Sequence, residues 1–229
     1  MRRILILILC ICLLPVPVRA SDSPKYIALT FDDGPSGRYT RRLLDGLAER
    51  NVTATFFLCG YRLKDYPDEA RRIFNEGHEI GIHGYSHRNM RNMSRREIAQ
   101  EIVDTRALLP EGCKPVWLRA PGGNNSDALR QVTECKNLAI LNWSVDPRDW
   151  STSGSEVVCR TVVSAAKDGD VVLMHDMSNS SVDAALAIID ILQARGFEFV
   201  TVSELARLRG QAVTPGKIYT CFPLLTGEK

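Results

Sequence analysis

Between Lys25 and Arg209, short runs that are apolar on both faces alternate with longer stretches that are apolar on one side only. The short runs are "KYIALTF" (25–31), "VTATFFL" (52–58), "HEIGI" (78–82), "PVWLR" (115–119), "LAILNWSV" (138–145), "DVVLMH" (170–175) and "FEFVTV" (197–202). Runs of this length without strict alternation are what parallel strands covered by helices require.

The intervening stretches have helical periodicity. Leu43, Leu44 and Leu47 form a stripe within 38–50. "SRRE" (94–97) is a capping-box signature opening a helix with Ile98, Ile102 and Leu109 on one side. The stretch from Val182 to Gly196 repeats the pattern with Leu186, Ile189 and Leu192, and stops at a glycine. Strand–helix alternation at this pitch predicts an α/β fold. About seven such parallel strands in one domain predict a closed or nearly closed (β/α) barrel rather than an open sheet.

The ends of the chain bound the domain. "MRRILILILCICLLPVPVRA" has two arginines, an apolar run from Ile4 to Leu14 and a small-x-small end at Val18–Ala20. This is the form of a secretory signal peptide covering 1–20. A retained anchor is the rival reading, but the run falls short of the roughly 20 apolar residues that span a bilayer. One folded domain is then expected over 21–210, with 211–229 a tail packing back onto it through Cys221.

Composition narrows the partners. Cleavage after Ala20 removes three arginines and no acid, taking the net charge from +2 to −1. No basic surplus remains to attract nucleic acid or anionic lipid, so neither a nucleic-acid partner nor a membrane span after cleavage is expected, and the chain is read as a monomer. Five cysteines remain, Cys59, Cys113, Cys135, Cys159 and Cys221. Export permits disulfides, but an odd count leaves at least one thiol unpaired within the chain. No C-x-x-C spacing suggests a thiolate zinc site, and Cys59 after "TATFFL" reads as a small buried residue.

The candidate chemistry lies where predicted strands end, the position at which parallel α/β folds collect functional groups. Asp32 and Asp33 follow the first run, His83 and His87 the third, Arg119 ends the fourth, Asp146 and Asp149 follow the fifth and His175 ends the sixth. Three of the four histidines of the chain are in this set. In "HGYSH" an i, i+4 spacing on a helical turn would put both imidazoles on one side. Two histidines and one carboxylate leave room for water, the open coordination of a catalytic zinc.

Taken singly, each feature has a plainer explanation. H-x-x-x-H can be accidental, "DDGP" a solvated turn, Arg119 a surface ion-pair partner, and Trp117, Trp143 and Trp150 core residues. His175 could be a buried histidine with its hydrogen bonds satisfied. His78 fits no constellation and is read that way.

In the order "TFDDGP", "HGYSH", "LRAPGG", "DPRDW", "LMH", these segments resemble the five motifs of the polysaccharide deacetylases of carbohydrate esterase family 4. The motifs run from residue 30 to 175, and the elements up to Arg209 continue the pattern. The resemblance implies a distorted β/α barrel with one divalent metal ion, zinc or alternatively cobalt or another transition metal, that hydrolyses acetyl groups on sugars. By position, Asp32 matches the general base, and Asp33, His83 and His87 match the metal ligands. Arg119 matches the residue that orients the base, His175 the general acid and Asp149 the carboxylate that tunes it. Trp150 and Leu173 match cleft-lining residues, and the Gly122 N–H matches an oxyanion donor.

The paired aspartates then have a rationale: one holds the metal while its neighbour stays off it within reach of the attacking water, and Gly34–Pro35 supplies the turn. Three positions depart from the family pattern. Gly84 replaces a hydroxyl residue, so a hydrogen bond bracing the loop is expected to be missing; Ala120 replaces a proline; Gly122 replaces a bulky side chain, removing one cleft wall.

The function expected is an exported, metal-dependent hydrolase of linear amides acting on N-acetyl groups of peptidoglycan amino sugars, secreted or associated with the cell wall. Chitooligosaccharide deacetylase and acetylxylan esterase are the alternatives, with a non-catalytic glycan-binding relative behind them.

Overall fold

The structure, a computed structural model, describes residues 24–152 and 154–224; the signal-peptide reading of 1–20 lies outside the described residues. Among the described residues, eight strands and eight α-helices follow one another. The first half contains β1 (Lys25–Asp32), α1 (Arg38–Glu49), β2 (Thr55–Leu58), α2 (Gly60–Asp65), α3 (Pro67–Asn75), β3 (Glu79–Ile82) and α4 (Arg95–Arg106). The second contains β4 (Trp117–Leu118), α5 (Asp127–Cys135), β5 (Ala139–Leu141), α6 (Ser155–Ala165), β6 (Val171–His175), α7 (Asn179–Ala194), β7 (Phe197–Phe199), α8 (Val202–Leu208) and β8 (Ile218–Tyr219).

All the strand ladders are parallel, in the order β6-β1-β2-β3-β4-β5-β8, with β7 beside the first residues of β1. The sheet curls into a distorted barrel, as the motif resemblance implies. Its seam between β5 and β6 is joined by a single parallel bridge, Val145 to Val172, rather than by a ladder. Below that bridge the chain after residue 210 fills the gap: β8 pairs β5, and Cys221 bridges Asp170.

Two predicted strands are shorter than their apolar runs, each for a local reason. In the run at 138–145 the strand ends at Leu141, where Arg119 reaches across and takes the carbonyls of Leu141 and Asn142, and pairing returns only at the Val145–Val172 bridge. The run at 197–202 ends early because Thr201 caps α8, its side chain accepting from Glu204 N–H, so "TVSE" is itself a helix start. The "SRRE" expectation is met, with both hydrogen bonds of the Ser94–Glu97 capping box present, although α4 ends at Arg106, before Leu109.

Strand parity sorts the core. On β1, Ile27, Leu29 and Phe31 pack outward beneath α1 and α7. Ala28, Thr30 and Asp32 alternate with them and face the interior. The same parity turns Val171, Leu173 and His175 inward on β6, and carries Trp117 and Arg119 inward at β4. The lower end of the interior is plugged by Val202, Leu205 and Ala206 of α8, packed with Ala28, Trp117 and Phe222. The polar residues at this end are tied to α8, Thr55 accepting from Val202 N–H and Glu79 from Ser203, whereas those at the opposite end, where the strands stop, line a cavity.

Candidate active site

Register brings the first pair together. In the β1/β6 ladder Asp32 is the partner of His175, so the last residues of two adjacent strands put a carboxylate and an imidazole at one end of the interior. Asp33 follows in a left-handed conformation (φ 71°), which turns its side chain away from that of Asp32.

Arg119 is fully buried, not a surface ion-pair partner. Its guanidinium donates to Asp32 Oδ1 at 2.7 Å, Thr30 Oγ1 at 2.8 Å, Leu141 O at 3.1 Å and Asn142 O at 2.9 Å. It also lies 4.2 Å from the Phe57 ring centroid. A buried cation with a carboxylate partner and three further hydrogen bonds is a rigid post, and Asp32 is held on it.

Asp33, His83 and His87 converge, their ligand atoms all lying within 4.8 Å of one another. Asp33 Oδ1 stands 3.2 Å from His83 Nε2 and 3.0 Å from His87 Nε2, yet it makes no aligned hydrogen bond. On the other side of its ring, His83 Nδ1 is 2.8 Å from the Arg119 carbonyl. A carbonyl can only accept, so Nδ1 carries the proton and the Nε2 lone pair points at the cluster. An orphaned carboxylate oxygen facing such a lone pair fits a divalent cation, and the nitrogen–oxygen donor set suits zinc or cobalt. Burial opposes ionisation of Asp33, but His83 and His87, when protonated at Nε2, outweigh it and hold the carboxyl well below its usual range.

The two histidines do not lie on a helical turn, as their spacing suggested. The segment from His83 to His87 is an irregular loop with left-handed residues at Gly84 (φ 80°) and His87 (φ 57°). These reversals, rather than helical periodicity, bring the two rings to a centroid separation of 5.2 Å.

His175 is clamped by Asp149, whose Oδ1 is 2.8 Å from Nδ1 and whose Oδ2 accepts from the His175 backbone N–H at 2.9 Å. Nε2 then faces the triad, 3.9 Å from Asp33 Oδ2. Burial lowers the imidazole's proton affinity, but the hydrogen bond and charge of Asp149 win and raise its pKa to about 9. It is therefore a cationic acid at neutral pH.

A cavity of about 370 Å³ opens over these groups, lined by Asp32, Asp33, His83, His87, His175 and Gly122, with Trp143, Asp146, Trp150 and Leu173 completing its wall. Trp150 is 62% exposed at the rim, so it is not a core residue. Asp146 joins the wall from the strand end where the sequence put it, and Trp143, read as a core residue, joins it too. His78 lies away from the cavity: it is buried, its Nδ1 accepts from Ala54 N–H, and burial depresses its pKa to about 4. Cys59 is fully buried, and all five cysteines of the described residues are unpaired.

Two acids missed in the sequence support the loops. Asp176, fully buried after His175, accepts from Thr40 Oγ1, while its carbonyl accepts from Ser36 Oγ. A Cβ on Gly34 would come within 2.9 Å of the Asp176 carboxylate, so the glycine of "DDGP" is also a packing requirement. Glu101, on α4, accepts three hydrogen bonds from Tyr85 and Ser86 between the two histidines.

With this geometry in place, the family model for polysaccharide deacetylases matches residues 19–140. A peptidoglycan-N-acetylglucosamine deacetylase of Bacillus cereus is 40% identical over 82% of this chain and 91% of its own length. The chain belongs to the polysaccharide deacetylase family. It is thus a carbohydrate-directed hydrolase of carbohydrate esterase family 4, as the five motifs implied.

Two further relatives show the range of this deacetylase family. The peptidoglycan-N-acetylmuramic acid deacetylase PdaC of Bacillus subtilis is 37% identical over 82% of this chain, which spans only 40% of that longer protein. A family 4 acetyl xylan esterase from Clostridium thermocellum, solved with a cobalt ion, superposes with a TM-score of 0.81 at 36% identity, covering 87% of this chain and all of that one. Among the described residues no helix of the deacetylase is long and apolar enough to cross a membrane.

Proposed function

We propose that this deacetylase is exported and removes N-acetyl groups from cell-wall amino sugars, peptidoglycan N-acetylglucosamine first among them, with release of acetate. The observation that carries the reading is the placement of His175 Nε2 at 3.9 Å from Asp33 Oδ2, with its Nδ1 side fixed by Asp149. Cleavage of an amide requires a proton on the departing nitrogen, and a histidine cationic at neutral pH and aimed into the cavity can supply it. An ester leaving group needs less assistance, so this acid favours the amide over acetylxylan.

Asp33, His83 and His87 would hold one divalent ion, zinc by preference. When bound, such an ion lowers the pKa of a coordinated water and polarises an acyl oxygen. Asp32, held on Arg119, takes the proton of the attacking water. The Gly122 N–H, on the cavity wall, donates to the oxygen that becomes negative on attack. His175 then gives its proton to the sugar nitrogen as the carbon–nitrogen bond breaks, leaving acetate and a free amino sugar. Trp150 and Leu173 bound the space for the sugar ring. The peptidoglycan preference is supported by the Bacillus cereus relative, and export by the form of residues 1–20.

The test is acetate release by purified zinc-loaded protein from N-acetylated peptidoglycan fragments, chitooligosaccharides and acetylxylan in parallel, with Asp32→Asn as control. Release chiefly from the peptidoglycan fragments is expected. Preference for chitooligosaccharides would overturn the cell-wall substrate, preference for acetylxylan the amide specificity, and release from none the catalytic reading.

A further inference from the structure

The loop that carries His83 and His87 has no side chain of its own to brace its first turn. Gly84 adopts φ +80°, and a Cβ there would meet Met90 Cε at 2.7 Å and Glu101 Oε2 at 3.2 Å. A hydroxyl residue at this position would therefore be strained by the backbone and crowded by its neighbours.

The bracing comes from two other elements. On one side α2 donates its first N–H groups to the loop carbonyls, Gly60 N–H to Gly84 O and Tyr61 N–H to Tyr85 O, both at 3.0 Å. On the other side the Glu101 carboxylate accepts what the loop has left to donate. Oε2 takes Tyr85 N–H at 2.6 Å and Ser86 N–H at 2.8 Å, and Oε1 takes Ser86 Oγ–H at 2.6 Å. A carboxylate accepting three hydrogen bonds, two of them from consecutive amides, fixes the orientation of that backbone more firmly than neutral partners would. The next residue along the loop is His87, which is 42% exposed on its side chain and has little packing to hold it.

We propose that Glu101 is a positioning residue for the metal site, a strap from α4 that holds the loop so that His87 and His83 present their Nε2 atoms together to one ion. It touches no ligand atom and acts through the loop backbone. Partners of this kind set metal affinity by removing the disorder that binding would otherwise have to freeze out. The strap also accounts for the tolerance of glycine at position 84, since the bracing lost there is supplied from a neighbouring helix. The inference rests on the metal reading of Asp33, His83 and His87.

The experiment is zinc affinity of the whole purified protein, measured with zinc alone by competition against a chromophoric chelator and so independent of any substrate. Glu101→Ala is expected to weaken zinc binding by about 10–100-fold. Glu101→Gln, which keeps one acceptor oxygen, should fall between it and the native protein, and Ser86→Ala should lose a few-fold. Glu97→Ala, which breaks the capping box of the same helix, serves as the control: it should lower the melting temperature with zinc affinity unchanged. At saturating zinc, kcat of Glu101→Ala should return to near the native value.

Native affinity in Glu101→Ala would overturn the inference alone. Equal losses of zinc affinity in Glu97→Ala and Glu101→Ala would reduce Glu101 to a helix-stability residue. If Glu101→Ala does not fold, unchanged affinity in both Glu101→Gln and Ser86→Ala is the overturning result. A native protein that binds no zinc would instead overturn the metal reading, and the strap with it.

Discussion

Asp149 holds His175 at two points, accepting from the ring at 2.8 Å and from the backbone N–H of the same residue at 2.9 Å. The double contact fixes the ring tautomer and its direction at once, and leaves Nε2 facing the cavity. Replacement by asparagine keeps the shape but removes the charge. We expect Asp149→Asn to lower kcat by about 10²–10⁴-fold with KM changed little, measured by acetate release. A KM effect without a kcat effect would refute this role.

The same contact sets a pH dependence. His175 is raised to about 9, against the opposing effect of burial, so the protonated acid is present below that pH and lost as pH rises through it. The activity of the native protein should decline on the alkaline side near pH 9. In Asp149→Asn the limb should move down toward the ordinary imidazole range.

Metal binding and proton transfer should separate by mutation. Asp32 stays on the Arg119 guanidinium while Asp33 faces the histidines, so Asp32→Asn should retain zinc and lose turnover. His83→Ala should lose both, because the imidazole is one of three converging donors. Zinc content by atomic absorption, read beside acetate release, distinguishes them; a fully active His83→Ala free of zinc would exclude the triad as the metal site.

Arg119→Met should destabilise the protein by about 3–5 kcal/mol, since it leaves the buried Asp32 carboxylate without its cation. Denaturant unfolding of the metal-free protein measures this. A loss below about 1 kcal/mol would mean that Asp32 is solvated and not held on the arginine.

Asp176 predicts a stability profile of its own. Burial raises its pKa from 3.8 to about 6, with the Thr40 hydrogen bond working the other way. Between those pH values the folded state keeps a proton that the unfolded chain has released. Stability therefore falls as pH rises from about 4 to 6, by an amount on the order of 3 kcal/mol, and levels off above. In Asp176→Asn the melting temperature should lose that part of its pH dependence; an unchanged slope would assign it to other groups.

Much of this was legible in the sequence because it is local. Apolar runs are written residue by residue, so Asp32 and His175 could be placed where such runs stop, and "SRRE" marked the start of α4 by its own chemistry. The loops were harder. His83 and His87 were read as neighbours on a helical turn, whereas left-handed residues at Gly84 and His87 bring them together. Periodicity carries no information about such reversals.

Glu101 and Asp176 were invisible for a different reason. One is an ordinary charged residue on an amphipathic helix, the other an acid after a strand, and neither has a pattern until the partner from a distant segment is seen. Arg119 looked equally at home on the surface.

The sequence by itself thus determined the alternation of elements and the residue types available where strands end, both of which follow from short-range sterics and hydrophobic patterning. Only the tertiary structure decided which ends meet. The β1/β6 register set Asp32 opposite His175, the open β5/β6 seam left carbonyls for Arg119, and Glu101 closed on the metal-site loop. Each depends on backbone hydrogen bonds and buried charges between segments far apart in the chain, whose partners are chosen by packing and not by their neighbours in sequence.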